Sequence, residues 1–394
     1  MSLVSLIMTE VSIIKCPEYH LEGIYKSVRE SVNLIGGIGK FVKKGMRVLI
    51  KPNFLFATSP DKTVNTHPTI IKAVVDLVIE HGGIPRIGDN PGLGSLAKVV
   101  QKSGLSEFIN QEFFLSDFSQ YILTQTPKDY TFEEFRIARE ILDADLVINL
   151  PKLKTHGYML LTLGIKNLFG CLSKHERIQW HLRAGINRHF FATMLLELYS
   201  IIGPGLTIVD GVIGMEGNGP RSGTPRNIGV IISGIDCLAI DTVICNILNI
   251  NSQNLHTIKV AEGRGMGKTS YSEINVVGEK LNQIKINNFQ LPPELKEDNE
   301  WGFYIPKKIR IPLKQHLIPK PMINPAKCNL CLICLNHCPA KIISLNKKRV
   351  VIDFIKCIRC FCCQEFCPQG AITIKEGWLC RNNPLKLIDA LIGN

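Results

Sequence analysis

The stretch Cys328-Asn329-Leu330-Cys331-Leu332-Ile333-Cys334-Leu335-Asn336-His337-Cys338-Pro339 returns 29 positions on as Cys357-Ile358-Arg359-Cys360-Phe361-Cys362-Cys363-Gln364-Glu365-Phe366-Cys367-Pro368. Four cysteines and a proline coincide, so C-x2-C-x2-C-x3-C-P occurs twice in one internal repeat. With that spacing a tight loop brings three thiolates around one cubane, while the fourth reaches the other cluster. Two [4Fe-4S] clusters are therefore expected, one on Cys328, Cys331, Cys334 and Cys367 and the other on Cys357, Cys360, Cys363 and Cys338. Zinc sites pair two CxxC units across a longer gap and have no use for three cysteines at successive x2 spacings. Disulfides belong to oxidising compartments. The N-terminus shows no export signal, since Glu10 and Lys15 interrupt any apolar run, and a cytoplasmic location is expected.

Ten of the 14 cysteines lie between Cys328 and Cys380, which sets this end of the chain apart. Cys362 breaks the repeat, for its counterpart is Ile333, and Cys380 lies beyond it; both read as packing residues. Cys16, Cys171, Cys237 and Cys245 sit among apolar neighbours and read as buried thiols. The repeat resembles the bacterial two-cluster ferredoxins over roughly residues 323–375. That resemblance implies a small pseudo-symmetric α+β module in which 341–345 and 371–374 are equivalent strands.

The expected organisation is an α/β domain over 1–290, a basic proline-rich linker over 291–322, the cysteine module over 323–376 and a tail over 377–394. Of the formal net charge of +12, residues 1–300 carry +1, 301–320 carry +5 and 321–394 carry +6. Two oxidised cubanes with their thiolates, at about −2 each, would lower the module's share to about +2. Nothing interleaves aromatic with basic residues, so no nucleic-acid partner is expected. No membrane span is expected either, because the most apolar region, around Phe190 to Val209, is interrupted by Glu197 and Pro204.

Residues 1–290 alternate apolar runs with amphipathic stretches and glycine turns, which predicts a largely parallel sheet with flanking helices. Strands are predicted at 47–51, 84–88, 146–150, 206–209, 228–232 and 274–277, and a helix at 67–81. Ligands in such sheets bind at the strand C-termini. Those ends read Lys51-Pro52-Asn53, Asp89-Asn90, Pro151-Lys152-Leu153-Lys154-Thr155-His156 and Asp210-Gly211. If 150–156 stays extended, Lys152, Lys154 and His156 share one side at period two. Lys166 and Asn167 follow in a short apolar segment flanked by glycines. Lys51, Asn53, Asp89, Lys152, Lys154 and Asn167 are thus candidates to bind an anionic small molecule; the alternative is that these lysines simply end strands in solvent.

Two glycine-rich loops stand out. Gly88 through Ala97 joins a strand to a helix and matches G-x-G-x-x-A, which reads as a dinucleotide turn, as a turn that cradles an anion at the helix N-terminus, or merely as a tight turn. Asp210 through Gly223 is too glycine-dense for regular structure on its composition, and its Asp210 and Glu216 are candidate acid–base groups beside His156 and Lys166. Gly263 through Thr269 imitates a P-loop, but position 262 is Glu where Walker A needs Gly, and the preceding residues read as helix.

As a set, Lys51-Pro52-Asn53, Gly88-Asp89-Asn90-Pro91-Gly92, 144–156, 164–170, Asp210-Gly211 and Glu216-Gly217 resemble domain-of-unknown-function family 362, whose members often carry a C-terminal ferredoxin pair. The likeness covers about 45–245 and implies no particular reaction. A more distant likeness, to the nickel-pincer lactate racemase, rests on Ala144-Asp145-Leu146-Val147-Ile148 followed by a histidine and a lysine, and makes His156 and Lys166 the analogous positions. The histidine- and glycine-rich surroundings of that family are largely missing here, so the likeness assigns no nickel. The expected function is an iron–sulfur oxidoreductase that exchanges electrons with a partner protein and acts on an anionic molecule. A non-catalytic electron-transfer or regulatory protein, and a non-redox isomerase with structural clusters, remain open at this stage.

Overall fold

The alternation over the first 290 residues builds one ten-stranded sheet, seen in a computed structural model that describes residues 9–108, 114–292 and 319–375. Its strands are β1 (Thr9–Lys15), β2 (Arg47–Pro52), β3 (Ile84–Asp89), β4 (Phe114–Asp117), β7 (Leu146–Leu150), β8 (Lys152–His156), β9 (Leu160–Thr162), β10 (Leu206–Glu216), β11 (Thr224–Gly234) and β12 (Ile274–Gly278). A separate hairpin pairs β5 (Tyr121–Gln125) with β6 (Glu134–Ala138). The main order is β12-β1-β11-β10-β7-β2-β3-β4, with β8 beside β10 and β9 beside β8. Along this main order every pairing is parallel except those made by β11.

Period-two burial sorts the strand residues onto two cores. Val48, Ile50, Ile148, Leu150 and Ile208 pack under the helices Leu21–Asn33, Pro68–Glu80 and Leu96–Lys102. Leu49, Val147 and Val209 face the opposite side, under Arg188–Ile202 and Cys237–Ile247. A strand buried on both faces reads as a continuous apolar run and is covered by crossover helices, which is why the central strands are parallel. The helix predicted at 67–81 runs from Pro68 to Glu80, with Pro68 in its first turn and the His67 ring accepting from the Thr69 N–H.

One expectation is overturned. The glycine-dense segment is largely strand, since β10 runs through Asp210, Gly211 and Gly214 to Glu216, and β11 resumes at Thr224. Asp210 is therefore inside a strand and not at its end. Glycine stands at 211 because a bulge brings the Val230 carbonyl within 2.9 Å of where a Cβ would be. Only the short turn between the two strands is irregular, and it includes the cis peptide Gly219-Pro220.

In the cysteine module the repeat extends to the backbone. Strands β13 (Lys320–Ile323) and β14 (Ile343–Asn346), with the helical turn Ile333–Asn336 between them, recur 29 residues later as β15 (Arg349–Ile352), Cys362–Glu365 and β16 (Ile372–Lys375). Left-handed residues recur too: Leu330 with Arg359, Leu332 with Phe361 and Lys341 with Gly370. The halves interlock, β13 pairing with β16 and β14 with β15. Strand β13 starts inside the stretch expected to be linker, and the rest of that stretch beyond 292, like the tail with Cys380, lies outside the described residues.

Candidate functional site

Three of the largest fully buried side chains are lysines, Lys51, Lys152 and Lys154. A buried charge needs a partner, and these find different ones. Lys51 Nζ donates to Asp89 Oδ1 at 2.8 Å, and Asp89 also accepts the Phe54 N–H. Lys152 Nζ donates to Asp210 Oδ2 at 2.9 Å and to the Tyr19 hydroxyl. Asp210 accepts further bonds from the Tyr19 hydroxyl and the His67 N–H, three in all with that from Lys152. Lys154 meets no carboxylate within hydrogen-bonding reach and donates to the Val64 carbonyl at 2.6 Å. Burial lowers its pKa to about 7.

Lys154 opens onto a cavity of about 320 Å³ lined also by Asn53, Asp89, Asn90, His156, Lys166, Asn167, Arg177 and His181. Of the ten candidates in the sheet domain, Asn53, Asp89, Lys154, His156, Lys166 and Asn167 line it. Lys51 stands directly behind, held by Asp89. Lys152, Asp210 and Glu216 do not line it: the first two neutralise each other within the sheet, and Glu216 accepts from the Gln290 N–H and faces Arg226. The period-two expectation for 152–156 thus holds for Lys154 and His156 only, because β8 lies against β10 and Asp210 captures Lys152.

Lys166 is placed by a network of short polar side chains. The Asp241 carboxylate accepts from the Gly164 N–H at 2.9 Å and fixes the turn Gly164–Asn167. Asn149 on β7 donates to the Gly164 carbonyl, Asn167 donates to Asn149, and Asn53 donates to Asn167. Lys166 Nζ sits 4.6 Å from the Phe169 ring centroid and, among the described residues, has no hydrogen bond or ion pair. Burial lowers it to about 8.

His156 Nδ1 accepts from the N–H groups of Tyr158 and Met159 at 3.0 and 3.2 Å. The proton of the neutral ring is thereby placed on Nε2. Burial, then Lys166, His181 and Lys154, hold its pKa well below the usual imidazole range. Nε2 is 3.7 Å from Glu365 and has no hydrogen-bond partner. Asn53 Oδ1, Thr162 Oγ1 and His181 Nδ1, all on the same cavity, are buried and likewise without a hydrogen-bond partner among the described residues. Orphaned polar atoms around one space mark a site that a polar ligand completes.

The opposite wall is the cysteine module, through Asn336, His337, Cys362, Glu365 and Phe366. Gln364 donates to the Asn218 side chain at 2.8 Å and to the Gly219 carbonyl at 3.0 Å. Arg221 donates to the Phe366 carbonyl at 2.7 Å. Gly157 permits the approach, for a Cβ there would lie 2.5 Å from Ile374. The turn 217–223 helps clamp the module, and the two candidate acid–base groups, Asp210 and Glu216, lie before it in β10. Sequence reasoning missed this wall, and it missed Arg177 and His181, whose spacing of four on the helix Lys174–Ala184 was the available signal.

The repeat cysteines form two sets. Cys328, Cys331, Cys334 and Cys367 line one cleft. The Cys334 thiol is raised to about 11 by burial and by Cys367, Cys331 and Cys328. Cys363 has Cys360, Cys357 and Cys338 among its electrostatic neighbours, and Cys338 has Cys360 and Cys357. This crossed grouping is the donor set that cubane ligation calls for. Cys362 is a free thiol buried beside Cys360, and it lines the cavity wall.

Comparisons with known proteins agree with this division. A domain of unknown function, DUF362, matches residues 48–246, and a 4Fe-4S dicluster domain matches 320–368. A thylakoid-associated protein of Synechocystis sp. is 35% identical over 311 residues, 78% of this chain and 94% of that protein. Among solved structures, the lactate racemase apoprotein from Thermoanaerobacterium thermosaccharolyticum aligns with a TM-score of 0.41 and 13% identity over 60% of this chain, which spans 56% of that one. A Thermotoga maritima protein aligns with a TM-score of 0.35 and 14% identity over 51% of this chain and 52% of its own. No described helix is long and apolar enough to cross a membrane. The dicluster domain makes the chain an iron–sulfur protein.

Proposed function

The chain belongs to the DUF362 family, and we propose that it is an oxidoreductase which delivers electrons from two [4Fe-4S] clusters to an anionic small molecule held between its two parts. The supporting observation is the shared cavity: cations on the sheet side face a wall whose Cys362 and Glu365 are within two residues of Cys360 and Cys363. Each cluster, when bound, supplies electrons singly. Lys154, Lys166 and Arg177 neutralise the anion, and the His156 Nε2–H and Asn167 orient it. An anion that takes up an electron gains negative charge, and the Lys166 ammonium, brought to about 8, is placed to offset it with a proton. Lys51, Lys152 and Asp210 hold the frame. Asp89 joins that role by fixing Lys51, while Glu216 ties the β10 end.

The test is anaerobic purification, identification of any bound small molecule by mass spectrometry, and reoxidation of dithionite-reduced protein by that molecule. Reoxidation in step with reduction of the molecule supports the proposal. A reduced protein that no bound molecule reoxidises supports a carrier instead, and chemistry indifferent to redox state supports an isomerase.

A further inference from the structure

The two cysteine sets differ in what they meet. Cys360 is 8% exposed, and its neighbours Arg359 and Phe361 are 4% and 3% exposed. Its counterpart Cys331 is exposed, as are Asn329 and Leu330. The cleft of the Cys331 set is closed by Val350, so the end of the hairpin β14–β15 lies beside the exposed loop. Lys327 on the loop and Lys347, Lys348 and Arg349 at the hairpin end are all exposed. The described module has two carboxylates, and neither is here: Asp353 is beside Lys356 at 3.9 Å, and Glu365 is on the cavity.

We propose that the loop 327–332 and the hairpin end 347–349 form the docking port for an acidic one-electron carrier protein, which hands electrons to the chain at the exposed Cys331. This rests on the reading that both cysteine sets hold clusters. Each encounter oxidises the carrier by one electron and reduces the protein by one. Lys327, Lys348 and Arg349 steer the carrier's acidic face, and Leu330, 38% exposed, gives the docked surface an apolar centre. Cys334 and Cys363, one from each set, are electrostatic neighbours, which makes the sets adjacent. Entry at one set and use at the other give electron flow a direction, from solvent to cavity.

The experiment compares anaerobic holoprotein with a Lys327→Glu, Lys348→Glu double variant and with Lys356→Glu. Lys356 occupies in the second half the place of Lys327 in the first, so it carries a single charge reversal at the equivalent place of the other set. Reduction by a reduced acidic flavodoxin is followed by stopped flow at low salt, and its affinity is measured by titration. The double variant is expected to be reduced at least about tenfold more slowly and to bind correspondingly more weakly. Lys356→Glu should stay within about twofold of the wild type, with iron content and the rate of dithionite reduction unchanged in all three. Equal slowing by Lys356→Glu, or none in the double variant, overturns the port. Protein prepared without air that contains no iron and that dithionite does not bleach instead removes the cluster reading on which the port rests.

Discussion

Leu332 and Phe361 hold the same place in the two halves of the cysteine module, with φ of 57° and 59°, and they meet different surroundings. Leu332 lines the cleft of the solvent-facing set, whereas Phe361 is 3% exposed and packs into the same core as Phe191 and Trp180 of the sheet domain. At the next pair of interest Leu335 is answered by Gln364, whose amide holds the turn after β10. The backbone repeats because the ligand spacing repeats. The side chains diverge because the loop around Phe361 is packed on the sheet domain, whereas the loop around Leu330 and Cys331 is exposed and the first half reaches the cavity only through Asn336 and His337.

Substitution at the paired positions can break this contrast. Phe361→Ala removes a ring buried between the two parts and is expected to cost about 3–5 kcal/mol, while Leu332→Ala costs about 1 kcal/mol. Anaerobic denaturant titration distinguishes them, and equal losses would mean that the halves are equivalently placed. Lys166→Ala removes a cation that, among the described residues, has no hydrogen bond or ion pair. It should weaken the cavity's ligand by about tenfold to a hundredfold, near the scale of a charge-assisted bond, with the thermal transition little changed. Wild-type affinity in a calorimetric titration would take Lys166 out of the site. Gln364→Ala should cost about 1–3 kcal/mol, since the Asn218 side chain and a buried carbonyl lose their donor. The reading here is hydrogen exchange in the turn 217–223, which rises if the clamp is real and stays constant if it is not.

The smallest effect per step is in pH. Burial lowers Lys154 to about 7 and Lys166 to about 8, so both lose their charge as pH rises through those values. An anion needs them protonated, and its affinity should fall by about tenfold per unit above pH 8 for each proton required. Stability of the ligand-free fold runs the other way. Below the ordinary lysine value the unfolded chain binds more protons than the folded one, so stability rises with pH from about 7 towards about 10.5. An affinity that is flat between pH 7 and 9 would contradict the placement of these lysines.

The cysteine spacing was legible because eight ligands in a tight repeat leave chemistry little choice, and the strands 146–150 and 206–209 were legible because apolar runs between turns have few other fates. Asp210 was misplaced for a physical reason. Glycine density looked like a loop, whereas Gly211 stands at a bulge inside a long strand and Asp210 is spent on Lys152. The far wall of the cavity was not legible at all. Glu365 and Cys362 face Lys154 and His156 from some 200 positions away in the chain, and no local pattern records which surface a compact module will dock on.

Iron, sulfide and the reduced-state electron paramagnetic resonance spectrum, measured on protein prepared without air, address the central point most directly. Two four-iron centres give about eight iron and eight sulfide per chain, falling to about four in either Cys331→Ala or Cys360→Ala, with a different signal surviving in each. Zinc in place of iron, or the same signal left by both substitutions, would contradict two centres of opposite aspect.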